Sequence, residues 1–164
     1  KQINLNNYAK LVYNFKKKLN CNIIFEPGRS IVGNTGILVS KIQYIKRGLN
    51  KNFIIIDAGM NDFMRTALYD AIHNIVPIIK TSKRNQGSVE FVGPICETSC
   101  KFSKYKKYQK IREGDFVAIT DVGAYGSSLS SNYNTKPLIA EILVSKNTFK
   151  IIRKKQDLIK LINF

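Results

Sequence analysis

The sequence predicts the end of an α/β domain followed by a mostly antiparallel β domain. Two observations support this class. Residues 5–25 carry helical periodicity and then a short apolar run, and after residue 35 the chain consists mainly of strand-like segments rich in Ile, Val, Phe and Tyr. A length of 164 residues is sufficient for one small domain and a piece of another. We therefore expect a domain boundary near residue 35, which divides the chain into 1–35 and 36–164.

The amino-terminal segment has the pattern of an amphipathic helix. Its apolar residues recur at spacings of three and four between residues 5 and 19: Leu5, Tyr8, Val12, Phe15 and Leu19. The apolar run 23–25 then predicts a short buried strand, and Gly28 indicates a turn after it. Since the chain starts at Lys1, inside what resembles a helix, we expect a fragment of a longer protein.

The remaining elements are strands with two helical interruptions. A helix is predicted over 62–73, capped by Asn61 or Asp62, and a short one over Asp157–Ile162. Strands are predicted at 37–45, 53–57, 75–80, 88–95, 115–122 and 137–144.

The net charge of +16 raises the question of nucleic-acid binding. Lysine accounts for 21 of the 27 basic residues, whereas phosphate and base recognition favours arginine, so a solvated basic surface is the better interpretation. The strongest candidate patch is 101–110, in which three aromatic residues alternate with five lysines. It could stack bases or form a flexible connection between two strands, and the second interpretation is favoured.

The three cysteines, Cys21, Cys96 and Cys100, do not form a zinc-binding pattern, so no metal is expected. Their odd number, in a chain without an apolar signal core, predicts reduced thiols and a cytoplasmic location. The chain also lacks an apolar stretch of the length of about 18 residues that a membrane span requires.

Four segments carry candidate chemistry. Glu26, Pro27, Gly28 and Arg29 form a turn that could bind a phosphate or a carboxylate, although an ordinary turn explains it equally well. Arg65 and Tyr69 are four residues apart, so they share one helix face.

The other two segments end strands. Cys96 and Glu97 place a possible acid beside a carboxylate where an apolar strand opens into a loop. Tyr125 lies between glycines, and a turn would explain those glycines without requiring the tyrosine. Each segment alone is ambiguous, but their order along the chain is informative.

Taken together, these segments resemble the diaminopimelate decarboxylase family, within the fold-type III decarboxylases of basic amino acids. The resemblance extends from about Phe25 to Val144. It rests on EPGRSIVGNTGIL at 26–38, DAGMNDFMRTALYDAIH at 57–73, VGPICET at 92–98 and DVGAYGSSLSSNYN at 121–134.

The resemblance implies an alanine-racemase-like (β/α)8 barrel followed by a β-barrel or sandwich domain. Residues 1–35 would be the last unit of the pyridoxal-phosphate-binding barrel, and 36–164 the carboxy-terminal β domain. It also implies a head-to-tail homodimer with active sites at the subunit interface. The Schiff-base lysine belongs to the barrel part outside this chain, so the segment alone is expected to be inactive.

The resemblance also implies a role for each candidate residue. The turn Glu26–Arg29 would contact the cofactor phosphate, and Arg29 would also bind substrate. Arg65 and Tyr69 would bind substrate. Cys96 would donate a proton and Glu97 would bind the distal amino group of the substrate. Tyr125 would touch both cofactor and substrate.

The implied reaction is the pyridoxal-phosphate-dependent decarboxylation of meso-2,6-diaminopimelate to L-lysine and CO2, the last step of lysine biosynthesis. Decarboxylation of ornithine or arginine is a second hypothesis, and an inactive truncated product that acts as a basic binding module is a third. One departure concerns the proton-donor loop, where Cys100 stands at a position that is usually Asp in the family. A second is Thr66, where Pro is common.

Overall fold

The computed structural model describes residues 3–79 and 85–163. Its first element is helix α1, Leu5–Leu19, which confirms the predicted bounds. Asn4 caps the helix by accepting a hydrogen bond from the Asn7 N–H, and Asn20 ends it in the left-handed conformation. The apolar face of α1 is exposed, because none of its residues is buried within the described part of the chain.

The predicted buried strand at 23–25 is wrong. These residues are irregular, and Ile24 is 91% exposed. A strand requires hydrogen-bonding neighbours, and the described residues offer none to this segment. The turn is followed instead by a short helix α2, Arg29–Val32, and a 3-10 turn, Gly33–Thr35, neither of which was predicted.

The remainder of the chain is organised around a six-stranded mixed sheet with the order β3-β6-β1-β2-β4-β5. A separate hairpin pairs β7 with β8. The strands are β1 Leu38–Lys46, β2 Asn52–Ile56, β3 Ile75–Pro77, β4 Val89–Val92, β5 Lys101–Tyr105, β6 Phe116–Ile119, β7 Glu141–Ser145 and β8 Thr148–Arg153.

Each of the six predicted strands corresponds to an observed strand, and the prediction of a mostly antiparallel domain is confirmed. The exception is the parallel pair β2 and β4, which are separated in sequence by α3 and β3. The predicted strand 75–80 ends earlier, at Pro77, and its last residue lies outside the described residues. Strands β5 and β8 were not predicted.

The two later helices are short. Helix α3 covers Arg65–Tyr69, a smaller range than the predicted 62–73, because Asp70 adopts a left-handed conformation that ends it. Helix α4 covers Leu158–Ile162, which confirms the predicted short helix, although Asp157 caps it rather than forming its first residue. No helix among the described residues is long and apolar enough to cross a membrane.

The core lies on one face of the curled sheet. Ile54, Ile56, Phe91, Val117 and Ile119 are fully or almost fully buried there, and each comes from one of the central strands. Irregularities in register between β1 and β2 and between β4 and β5 bend the sheet.

Side chains from β5 and the segment after it tie the two edges of the sheet together. The Ile75 N–H donates to Tyr105 Oη at 2.7 Å, and Tyr108 Oη donates to the Ile75 carbonyl at 2.9 Å. Ser103 Oγ donates to the His73 carbonyl at 2.7 Å. The predicted flexible connection at 101–110 is therefore wrong, and the buried ring of Tyr108 is unavailable for stacking bases.

Replacing Tyr108 with phenylalanine tests this closure. Tyr108 is 7% exposed, and burial raises the pKa of its phenol, so the hydroxyl remains protonated and donates to Ile75. We expect Tyr108→Phe to lower the free energy of unfolding by about 1–2 kcal/mol, since a buried carbonyl loses its donor. Urea unfolding of the full-length protein measures the loss. Tyr44→Phe, which removes an exposed hydroxyl, is the control, and equal losses would contradict the prediction.

Candidate functional site

The first cluster of candidate residues is centred on Arg65. Its guanidinium carbon lies 5.8 Å from the ring centroid of Tyr69 and 5.5 Å from that of Tyr125. Both distances are within the range of cation–π attraction. The structure therefore brings together three of the predicted residues, including the helical pair. Both rings remain about half exposed, so the cluster presents a cation and two phenols at the surface.

A tight turn before α3 positions Arg65. The N–H groups of Asp62 and Phe63 both donate to the Gly59 carbonyl, and the Gly59 N–H donates to Asp62 Oδ2 at 2.8 Å. Burial raises the pKa of the Asp62 carboxyl, and the Gly59 hydrogen bond opposes that rise. The expectation that Asn61 or Asp62 caps the helix is wrong, because Met64 occupies the cap position without a side-chain hydrogen bond.

The backbone of the loop that presents Tyr125 is hydrogen-bonded to the segment that contains α2. The Val122 N–H donates to the Gly36 carbonyl at 3.0 Å, and the Gly123 N–H donates to the Gly33 carbonyl at 3.0 Å. A Cβ atom on Gly36 would lie 2.7 Å from the Gly123 backbone. This contact fastens the segment that contains α2 to the loop that presents Tyr125, which itself has a φ of +60°.

Arg29 is the first residue of α2 and is exposed. Gly28 precedes it with a φ of +43°, and Ser30 Oγ donates to the Pro27 carbonyl at 2.8 Å. Across residues 3–79 and 85–163, no hydrogen bond, ion pair or ring contact joins Arg29 to Arg65. The glycine contact joins the segment of Arg29 to the loop of Tyr125, whose ring lies beside Arg65.

The second cluster lies on the loop after β4. Cys96 and Glu97 are both exposed on a compact turn, in which the Cys100 N–H donates to the Glu97 carbonyl at 3.0 Å. The Gly93 N–H donates to the Cys100 carbonyl at 2.9 Å.

Cys100 has a defined structural place. It is 3% exposed, and its sulfur accepts a hydrogen bond from the Met60 N–H at 3.4 Å. A Cβ atom on Gly93 would lie 2.5 Å from that sulfur. The thiol thus packs the loop that carries Cys96 and Glu97 against the turn that precedes α3, and it links the two clusters.

The sequence did not single out Tyr133, although it lies within the segment 121–134. Its hydroxyl donates a hydrogen bond to Oε1 of Glu97. This bond, together with the negative charge of Glu97, raises the pKa of Tyr133. The partners are 36 residues apart in sequence, so no local pattern signals the contact.

The part of the chain that the structure describes contains no group of three or more His, Cys, Asp or Glu residues that could hold a metal ion. The polar groups of the two clusters suit an organic ligand with carboxylates, ammonium groups or a phosphate. The exposed Arg29 and the half-buried Arg65 supply planar cationic donors, Glu97 supplies an anion and Cys96 supplies a thiol.

Comparison with known families and proteins gives consistent results. The family model described as pyridoxal-dependent decarboxylase, C-terminal sheet domain, matches residues 11–123. Diaminopimelate decarboxylase of Haemophilus influenzae is 48% identical over 139 residues, which are 85% of this chain and 33% of that protein. Diaminopimelate decarboxylase of Aquifex aeolicus is 41% identical over 149 residues, which are 91% of this chain and 35% of that protein.

The fold is also similar to solved structures. The crystal structure of diaminopimelate decarboxylase from Helicobacter pylori complexed with L-lysine superposes with a TM-score of 0.87 at 41% identity. The match covers 98% of this chain and 39% of that one. The chain thus spans 33–39% of the length of these relatives.

Proposed function

Because the chain belongs to the pyridoxal-dependent decarboxylase family, through its C-terminal sheet domain, we propose that it is part of a meso-diaminopimelate decarboxylase. The complete enzyme would convert meso-2,6-diaminopimelate to L-lysine and CO2. The observation that carries the proposal is identity of 41–48% to proteins of that name over most of this chain. This chain supplies substrate recognition and a proton, and the rest of the enzyme supplies the covalent anchor of the cofactor.

The residues fit pyridoxal 5'-phosphate as a cofactor. Its pyridine ring, when bound, acts as the electron sink for the carbanion left by loss of CO2. Helix α2 begins at Arg29 without a side-chain cap, on an exposed turn whose Gly28 has a φ of +43°. Backbone N–H groups and a guanidinium there suit a phosphate, so we assign Glu26–Arg29 and Tyr125 to cofactor binding.

The substrate assignment follows from charge. Meso-diaminopimelate carries two carboxylates and two ammonium groups. Arg29 and Arg65 would bind carboxylate, Glu97 would bind the distal ammonium, and Tyr69 and Tyr125 would line the site around Arg65. Ornithine and arginine lack a distal carboxylate, so they would not use both arginines.

Cys96 is assigned as the proton donor. The thiol is exposed on a compact turn, and it would deliver its proton to the carbon that loses CO2. We propose that the site forms in a cytoplasmic homodimer, in which one subunit offers Cys96 and Glu97 to the site of the other.

The domain assignment is also a proposal. We assign residues 1–35 to the end of a (β/α)8 barrel and 36–164 to the β domain. The exposed apolar residues of α1, such as Leu5, Leu11 and Phe15, support this, because an apolar helix face is normally covered by other elements.

Measuring CO2 release tests the proposal. A full-length chain that joins this segment to an intact barrel half should release CO2 from meso-diaminopimelate when pyridoxal phosphate is bound. Ornithine and arginine should be turned over at least about 100-fold more slowly. They lack the distal carboxylate, so the arginine that binds this group in diaminopimelate would be left without a partner. Absence of CO2 release from a dimer that binds the cofactor would refute the proposal, and faster turnover of ornithine would favour the second hypothesis.

A further inference from the structure

Tyr133 lies in a short loop whose backbone is strained. The next two residues, Asn134 and Thr135, have φ values of +60° and +56°. Asparagine tolerates this region, but a β-branched threonine rarely adopts it. Such a conformation persists only where the surroundings impose it, and it is often found at functional sites.

Two anchors impose this conformation. On one side, the Ser131 N–H donates to the Asn61 carbonyl at 2.9 Å, within the turn that precedes α3. On the other, Asn132 Nδ2 donates to the Lys136 carbonyl at 2.8 Å and to Gln156 Oε1 at 2.6 Å. The loop is therefore held between the turn that positions Arg65 and the carboxy-terminal segment.

The Glu97 loop rests on the same turn. Cys100 accepts a hydrogen bond from the Met60 N–H, next to the Asn61 carbonyl that holds Ser131. Because both loops are bound to residues 60 and 61, the Tyr133 hydroxyl and the Glu97 carboxylate are held within hydrogen-bonding distance of each other.

We infer that Tyr133 is a positioning residue, which holds Glu97 through one carboxylate oxygen and leaves the other for the distal ammonium of the substrate. The inference rests on the proposed function, since it assumes that Glu97 binds that ammonium. The Tyr133 ring is 47% exposed, so the tyrosine is not explained by burial in the core. Its hydroxyl is committed to Glu97, and removing it frees the carboxylate to turn towards water.

The test compares two substrates of the full-length enzyme. Meso-diaminopimelate has the distal ammonium, and 2-aminopimelate with the same configuration at the reacting carbon lacks it. The quantity compared is kcat/KM for diaminopimelate divided by kcat/KM for 2-aminopimelate. In the Tyr133→Phe enzyme, we expect this ratio to fall about ten-fold, since a charge-assisted hydrogen bond no longer orients Glu97. The loss should appear mainly in KM for diaminopimelate, with kcat changed by less than about three-fold.

Glu97→Gln gives the second arm. It should lower the ratio at least as much, and Tyr133→Phe added to it should have little further effect, because the phenol acts through the carboxylate. Tyr44→Phe, an exposed tyrosine on β1, should leave the ratio unchanged.

Three outcomes are distinct. A selective fall for diaminopimelate that Glu97→Gln abolishes supports the inference. If kcat/KM falls equally for both substrates, or falls for neither, the inference is overturned and Tyr133 is a structural residue of its loop. A parent enzyme that releases no CO2 from diaminopimelate refutes the proposed function itself.

Discussion

Replacing Cys96 with alanine in the full-length enzyme is expected to lower kcat for diaminopimelate by about 10²–10³-fold. In the proposed reaction, loss of CO2 leaves a carbanion that must acquire a proton before lysine can leave. Cys96 is the exposed thiol of the compact loop after β4, and its neighbour Glu97 is the carboxylate assigned to the distal ammonium. Removing the thiol removes the proposed proton donor and leaves the residues assigned to binding, so KM should change by less than about three-fold.

Cys21→Ala is the matched control for this variant, because Cys21 is also an exposed free thiol but lies just after α1. It should retain the parental kcat. Steady-state CO2 release and lysine formation measure both variants. A Cys96→Ala enzyme with unchanged kcat would show that another group donates the proton.

Local signals account for the parts of the fold that were predicted correctly. The bounds of α1 follow from apolar spacing and from Asn4 and Asn20 at its ends, all of which are encoded within about 17 residues. The contact between Arg65 and Tyr69 likewise follows from their spacing of four on one helix. Such patterns need no knowledge of the rest of the molecule.

The errors arise where distant contacts decide the structure. The lysines of 101–110 made that segment resemble a connection, yet β5 places Lys101 and Lys104 outward and turns Phe102 into the core. Tyr105 then binds the backbone of Ile75, 30 residues earlier in sequence. The run 23–25 shows the converse, since its apolar residues predict a strand but no partner strand lies in the described part of the chain.

In the candidate site, too, local patterns were predicted and distant contacts were not. Four motifs identified the candidate residues in order, but their relative placement depends on contacts such as Gly36 with Gly123 and Met60 with Cys100. The hydrogen bond between Tyr133 and Glu97 joins two of these motifs, and no property of either one predicts it.

Gly123→Ala should produce the largest loss of stability, because the added Cβ has no room. It would overlap the Val32 carbonyl oxygen and lie 2.9 Å from Thr35 Oγ1. The carbonyl belongs to the backbone and cannot rotate away as a flexible side chain could. We expect the free energy of unfolding to fall by about 3 kcal/mol, because the segment with α2 must separate from the Tyr125 loop.

Gly33→Ala is the control within the same contact. Gly33 has a φ of −54°, which alanine adopts freely, and its Cβ would meet Arg29 Cγ at an ordinary 3.4 Å. The free energy of unfolding should therefore stay within about 0.5 kcal/mol or rise slightly. Urea unfolding of the full-length protein compares the two variants, and equal stability would show that the glycine contact does not hold the two segments together. The Gly123→Ala enzyme should also lose activity more than Gly33→Ala, since the Gly36–Gly123 contact joins the turn at Arg29 to the loop of Tyr125, and both residues are proposed to bind the cofactor.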